Sequence, residues 1–470
     1  MKKIIIPLLF SIVLLGTVII IKSETKAVTT QPKKAFENYQ LHCAGCHGVK
    51  LEEFIDRKWV YGHNPAKVGE IIAKGIVDEG MPGFEATLTN DEIRALSEYI
   101  LAESKEGIIK KSIDNKRVNG VYGTNFKYKA IELVSNLEIP WGIEFLPNGD
   151  LLIAERNGTL SRLTKEKKLI EIEGLPEIRV GGQGGLMDLR LHPEYRKNGW
   201  LYISYSYIDD KNKRAGNTAV IRCKLKGNRL TEIEPIYKSI PAVTTKYHFG
   251  SRIEFDNDGF VYISTGDRGK RDVFPQSLNN SNGKVHRLKD DGSIPTDNPF
   301  YNTKGAIKSI YTYGHRNIQG VAKHPVTGDI WTHEHGPRGG DEINILKPGL
   351  NYGWPVISFG INYNGTTFTN DTAKVGMEQP LTYYVPSIAP CGMAFVNSDR
   401  YGNWKNSLLI GSLRFQYLER CIIKNDKVVG HERLLEGIGR VREVKVSPDG
   451  YIYVGVEGPG RILKLVPLNE

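Results

Sequence analysis

Long apolar stretches, paired cysteines and basic runs are all in short supply in this chain. Only Ile4 to Ile21 is apolar at length, broken by Pro7, Ser11, Gly16 and Thr17 and bounded by Met1-Lys2-Lys3 and Lys22. A basic start ahead of such a run fits export, and its 18 residues sit between the length of a signal peptide and that of a membrane anchor. No small-x-small cleavage site follows and no cysteine is there to be lipidated, so residues 1–26 read as a signal peptide or, by a small margin, an uncleaved anchor. Either way the remainder faces the periplasmic, extracytoplasmic side of the inner membrane. No Lys/Arg run with interleaved aromatics occurs, which argues against nucleic acid as a partner. Of the five cysteines, Cys223, Cys391 and Cys421 lack metal-ligand spacing and are odd in number. At least one is therefore a free thiol, and all three read as small buried residues.

What is present is a turn-rich globular composition, 40% hydrophobic with 50 glycines. The formal charge of +10 is unevenly spread: residues 35–103 carry a net −6 and residues 127–470 a net +8. That split fits solvated surfaces, two modules matched for docking, or a basic pocket for an acidic ligand.

A repeat organises the larger part. Tyr247 to Gly259 continuing to Asp267 reads as a polar entrance, a short strand, an Asn-Asp-Gly turn, a second strand and an acidic exit, a β-hairpin that brings His248 and Asp267 together. Ile139 to Arg156 and Arg440 to Gly455 repeat the order, and looser copies start near Gly184, Tyr313 and Ile388. Six such units predict a mainly β fold, a six-bladed β-propeller, because a lone small sheet cannot bury both faces until neighbours stack on it around an axis. The first strand of each blade would line the channel, so Gln183, His248, Arg316, Asn317, Ser387, Arg440 and Arg442 would converge on one axial site. By analogy with other propellers, Lys127 to Val134 would pair with the last blade and close the ring.

Ahead of the repeats lies a helical module. Its Cys43-Ala44-Gly45-Cys46-His47 is a c-type haem attachment signature, with Cys43 and Cys46 for the thioether bonds and His47 for one axial position on iron. Met81, in the Gly80-Met81-Pro82-Gly83 loop, is suited to the other. A redox dithiol or half a zinc site is the competing reading. Thr89-Asn90-Asp91-Glu92 opens a last helix with Ile93, Leu96 and Ile100 on one face. In these motifs residues 35–103 resemble a small all-α class I cytochrome c domain. Residues 104–126 read as a polar linker, which as a flexible coil would span about 25–30 Å and let the haem visit the propeller mouth.

Gly181-Gly182-Gln183-Gly184-Gly185, His248-Phe249-Gly250, Tyr313-Gly314-His315-Arg316-Asn317, Glu334 to Asn344, Asn351-Tyr352-Gly353-Trp354 and Arg440-Val441-Arg442 run in order through 127–470. Together they resemble the soluble glucose and aldose sugar dehydrogenases that depend on pyrroloquinoline quinone (PQQ). The resemblance implies a PQQ–Ca²⁺ site on the axis, an aldose substrate oxidised at C1 to a lactone, and electrons passed to haem c and on to a downstream cytochrome or terminal oxidase. His248 would be the general base and Asp267 its partner. Gln183, Arg316, Asn317, Arg414, Arg440, Arg442, Tyr384 and Ser387 would hold PQQ. The carbonyls of Gly336 and Pro337 would bind the Ca²⁺ beside it; Glu342 and Tyr352 would serve a second Ca²⁺, with Asp341, between the two, a candidate for either. The chemistry agrees, since a tricarboxylate with an electrophilic carbonyl needs permanent cations, a hard metal and a base. This sequence departs from the family at Tyr383 to Ser387, where an aromatic-rich segment is usual, and at Arg414, a position often held by Lys. A lactonase-like propeller hydrolase and a cofactor-free binding propeller with a tethered cytochrome are the alternatives.

Overall fold

The computed structural model describes residues 31–47, 51, 54, 59, 61–111, 120–123, 126–458 and 460–468. The export or anchor segment and residues 112–119 of the linker lie outside them, and of Cys46 only the backbone is described. No helix among the described residues is long and apolar enough to cross a membrane.

The N-terminal domain is built on helices α1 (Gln31–His42), α2 (Pro65–Lys74) and α3 (Asn90–Lys111). Asn64 caps α2, its side chain accepting from the Lys67 amide at 2.9 Å, and Pro65 supplies a preset first turn. At α3, Thr89 and Glu92 exchange hydrogen bonds, amide of Thr89 to Glu92 Oε2 at 2.9 Å and amide of Glu92 to Thr89 Oγ1 at 3.3 Å, a capping box. The face of α3 bearing Ile93, Leu96 and Ile100 is buried against Tyr39, Val68 and Ile72. Helix α3 runs past the expected boundary at 103 to Lys111, because no proline or cap interrupts it. Those residues are therefore helix rather than coil.

Six antiparallel sheets follow, each of at least four strands. In blade 1 the strands are 140–145, 151–155, 160–163 and 169–171; in blade 3, 253–255, 261–265, 284–288 and 310–313. Tyr128–Leu137 pairs antiparallel with Gly460–Pro467, so the strand before the first blade completes the last one and closes the ring. Apolar side chains fill the seams between blades: Leu152, Ala154 and Leu160 of blade 1 meet Leu186, Leu189 and Leu201 of blade 2. The innermost strands are buried on both sides, since blades flank them, and every residue of Pro140–Phe145 and Pro390–Phe395 is buried.

The helical domain sits on the propeller mouth. Lys246 Nζ pairs with Glu79, and its amide donates to the Asp78 carbonyl at 2.8 Å. A Cβ on Gly80 would lie 3.0 Å from the Tyr247 ring, so a side chain there would press on this contact. The expectation of a roving domain gives way to a docked one, held by the loop that carries Met81.

Candidate functional site

The hairpin of blade 3 places the two ends of the first repeat together. His248 and Asp267 lie beyond the paired residues Ile253↔Ile263, where the chain is no longer committed to ladder hydrogen bonds. His248 Nδ1 is 2.7 Å from Asp267 Oδ1, and the His248 amide donates to Gln183 Oε1 at 2.8 Å. His248 takes a left-handed φ of 57°, a region uncommon outside glycine, and the Gln183 contact and the close approach of Gly266 hold it there. A Cβ on Gly266 would come within 2.1 Å of the His248 carbonyl oxygen, so only glycine admits that loop. Trp354 Nε1 donates to Asp267 Oδ2 at 2.9 Å and the Gly269 amide to Oδ1 at 2.8 Å.

Electrostatics at this pair follow from burial and from Arg316. Burial pushes the His248 imidazole below its usual value, the Arg316 charge adds to that, and Asp267 opposes it. Burial acts to raise the Asp267 carboxyl, but the charge and hydrogen bond of His248, with Arg316, outweigh it and leave Asp267 below the ordinary carboxylate range. Neutral imidazole beside carboxylate is the resting state this arrangement favours at neutral pH. Nδ1 faces the carboxylate, leaving Nε2 for the cavity that His248 lines.

That cavity, of about 630 Å³, is walled by both domains. His47, Met81 and Cys43 border it on the helical side, among Val68, Ile72 and Trp59. Gln183, His248, Asn317, Gly336, Pro337 and Ser387 border it on the propeller side, with Arg414, Arg440 and Arg442. The apolar helical end, with an imidazole and a thioether both exposed to it and buried Cys43 at its edge, fits haem c. The propeller end fits an acidic planar ligand: Arg440 Nη1 donates to the Leu413 carbonyl at 3.2 Å and Arg414 Nη1 to the Ser387 carbonyl at 3.3 Å.

Glu457, which carried no sequence motif, stands between two of these cations. Arg442 binds its Oε1, and Arg440 Nε lies 3.5 Å from Oε2. One carboxylate cannot neutralise two guanidiniums, so the pair keeps a net positive charge. Arg442 Nη1 also reaches Cys391 Sγ at 3.3 Å. Tyr363 and Arg338 were equally illegible in sequence, and both line the cavity. Tyr363 reaches the wall through the long excursion between the third and fourth strands of blade 4, Asp341–Ile345 and Thr382–Tyr384, whereas Arg338 lies on the connection between the second and third, after Ile330–Glu334.

Two expected site residues are placed otherwise, and two more have their side-chain oxygens engaged within the protein. Tyr384 does not reach the cavity: it lies on the outermost strand of blade 4 with its hydroxyl 3.4 Å from Cys421 Sγ, because the outer strand of a blade is the one farthest from the axis. Arg316 sits behind the wall, Nη1 donating to the His335 carbonyl at 3.0 Å and its guanidinium 5.4 Å from the Trp354 ring centre. Asp341 has both oxygens occupied. It accepts from Ser387 Oγ at 2.9 and 2.8 Å and from the amides of Gly336 at 2.9 Å, Ile388 at 2.7 Å and Ala389 at 3.1 Å, so it organises the loop and has little capacity left for a metal. The Tyr352 hydroxyl is spent on backbone, donating to the Ile345 carbonyl at 2.6 Å and accepting from the Lys347 amide at 3.0 Å.

Two metal fits remain. Gly336 and Pro337 border the cavity and their carbonyls, among the described residues, accept no hydrogen bond, which leaves them for a hard cation. Behind them, burial and the neighbouring Glu334 push Glu342 up to about 8. Two buried carboxylates so close are a donor set that a divalent cation would relieve.

Comparison with known proteins agrees with this geometry. Residues 137–464 match the family described as glucose/sorbosone dehydrogenase, and residues 30–100 match that described as cytochrome c oxidase, cbb3-type, subunit III. The chain is 39% identical over 343 residues to the aldose sugar dehydrogenase YliI of Escherichia coli K12, covering 72% of this chain and 92% of that one. It is 32% identical over 422 residues to quinoprotein glucose dehydrogenase B of Acinetobacter calcoaceticus, covering 72% and 87%. The PQQ-bound aldose sugar dehydrogenase of Streptomyces coelicolor superposes with a TM-score of 0.60 at 27% identity, covering 72% of this chain and 97% of that one. A six-bladed propeller with these motifs, preceded by a helical domain that matches a cytochrome family, makes the chain an enzyme of the glucose/sorbosone dehydrogenase family that carries its own cytochrome c domain.

Proposed function

We propose that this protein oxidises an aldose at C1 to the lactone with PQQ and Ca²⁺, and delivers the electrons to its own haem c and then to a downstream cytochrome or terminal oxidase. The observation that carries the reading is a single cavity with the His248–Asp267 pair at one end and His47 and Met81 at the other. When bound, PQQ supplies a quinone carbonyl that accepts hydride, Ca²⁺ polarises it, and haem carries electrons singly.

The chain's own residues do the rest. His248 Nε2, kept unprotonated while Nδ1 faces Asp267, takes the proton of the anomeric hydroxyl, and Asp267 stabilises the imidazolium that results. Gln183 fixes the His248 backbone. Arg414, Arg440 and Arg442 would hold the carboxylates of the cofactor, and the Gly336 and Pro337 carbonyls its calcium. Export of the chain, with residues 4–21 as anchor, is supported by the Cys-x-x-Cys-His signature, because c-type haem is attached on that side of the membrane.

A hydrolase would place carboxylates and amides around the channel metal, whereas this cavity presents five arginines, Arg156, Arg338, Arg414, Arg440 and Arg442. The test is to supply purified haem-loaded protein with PQQ and Ca²⁺, add aldoses, and follow the haem spectrum. Sugar-dependent haem reduction that needs both additions is expected. Lactone hydrolysis without PQQ, or no reduction with any aldose, overturns the reading.

A further inference from the structure

Blade 5 holds a cluster of ligating groups far from the channel. Its third and fourth strands, Tyr417–Lys424 and Lys427–Leu434, pair so that Cys421 stands directly opposite His431. Glu419, two residues before Cys421, projects from the same face because side chains alternate along a strand. The register alone therefore gathers a carboxylate, a thiol and an imidazole. Their ligand atoms all lie within 4.8 Å of one another. His431 Nδ1 is 2.8 Å from Glu419 Oε1 and 3.8 Å from Cys421 Sγ, and the Tyr384 hydroxyl of blade 4 closes over Sγ at 3.4 Å.

We propose that Glu419, Cys421 and His431 bind a zinc-class divalent cation at the outer seam between blades 4 and 5. Two observations beyond the clustering point there. Glu419 is only 3% exposed, and its Oε2 has no hydrogen-bond partner among the described residues, a costly state for a buried carboxylate oxygen and one that a cation would remedy. A tetrahedral ion with metal–nitrogen bonds of about 2.0–2.1 Å and a metal–sulfur bond of about 2.3 Å needs a nitrogen-to-sulfur edge of about 3.6 Å, close to the separation present. The Glu419–His431 contact must open by about half an ångström, which a side-chain rotation supplies.

The charges also close. A carboxylate, a thiolate and a neutral imidazole balance a divalent ion, and binding breaks the Cys421 S–H bond, releases that proton to solvent and forms the metal–sulfur bond. His431 shifts its own proton to Nε2, so no other proton is lost. The His431 side chain is 40% exposed, which gives the ion a way in and leaves a fourth position to water.

The test uses the full haem-loaded protein, in which Cys43 and Cys46 are consumed by haem. After equilibration with Zn²⁺ and desalting, the wild type should retain one zinc per chain that the His431→Ala variant does not. Zinc-edge X-ray absorption should show one sulfur at about 2.3 Å. His431 is exposed enough that its removal leaves the blade folded, and Cys421→Ser, if it folds, should lose the sulfur signal. Equal zinc content in wild type and His431→Ala, or a coordination shell of oxygen and nitrogen only, overturns the proposal.

Discussion

Lys246 and Glu79 form an ion pair that ties the loop bearing His248 to the loop bearing Met81. The proton-accepting end of the cavity and its haem end are thus joined through neighbours of the residues that do the chemistry. Both side chains are partly exposed, so the pair is worth about 0.2–1 kcal/mol and is weakened by salt.

Glu79→Gln should therefore slow sugar-driven haem reduction by about fivefold at most, while reduction of a soluble dye stays unchanged. Stopped-flow at several protein concentrations checks this. The wild-type rate should be independent of concentration; a rate that scales with it would mean that electrons pass between molecules.

His248→Gln should lower kcat by about 10²–10⁴ while PQQ stays bound. Because burial and Arg316 depress the His248 imidazole, the acid limb of the rate profile should fall below the ordinary histidine value, with activity full above it. Asp267→Asn removes an influence that raises the imidazole, so this limb should move to still lower pH as kcat drops. A limb that moves upward in Asp267→Asn would contradict the assignment.

Neutralising Arg440 and Arg442 together should weaken PQQ reconstitution strongly and leave the haem spectrum intact. It also strands Glu457, buried at 2% exposure, and breaking such a pair costs about 3–5 kcal/mol. Adding Glu457→Gln to the double variant should restore thermal stability without restoring PQQ affinity. If affinity returns with stability, the arginines serve the fold alone.

For calcium, the readout is stability. Burial and Glu334 raise Glu342 to about 8, above the unfolded value of 4.5, so in the metal-free protein its contribution to stability is lost as pH climbs between those values. Glu342→Gln mimics the protonated form. Metal-free variant and wild type should melt alike near pH 5, the variant should be the more stable at pH 8, and Ca²⁺ should raise the Tm of the wild type more than that of the variant. Thermal scans with and without chelator decide it.

Much of this was legible from residue order. Hairpin periodicity and Asn-Gly turns determined the six blades, since strand length and turn chemistry are local properties. The same pattern determined that His248 meets Asp267, because a hairpin brings its own ends together. Cys43-Ala44-Gly45-Cys46-His47 likewise states its chemistry within five residues.

Tertiary structure decided the rest, wherever partners come from distant parts of the ring. Glu457 between Arg440 and Arg442, Trp354 on Asp267 and Tyr363 in the cavity wall all depend on which blades become neighbours in space. Tyr384 shows the converse: its segment lies near the expected cofactor loop in sequence, but its strand is the outermost of blade 4, and radial position in a blade is set by pairing rather than by order along the chain. Whether Asp341 was a ligand or a loop anchor depended on four donors from Gly336 and from Ser387 to Ala389, which converge only once blades 4 and 5 are assembled. The docking of the helical domain was decided in the same way, by a short contact at the mouth that net charge alone could not locate.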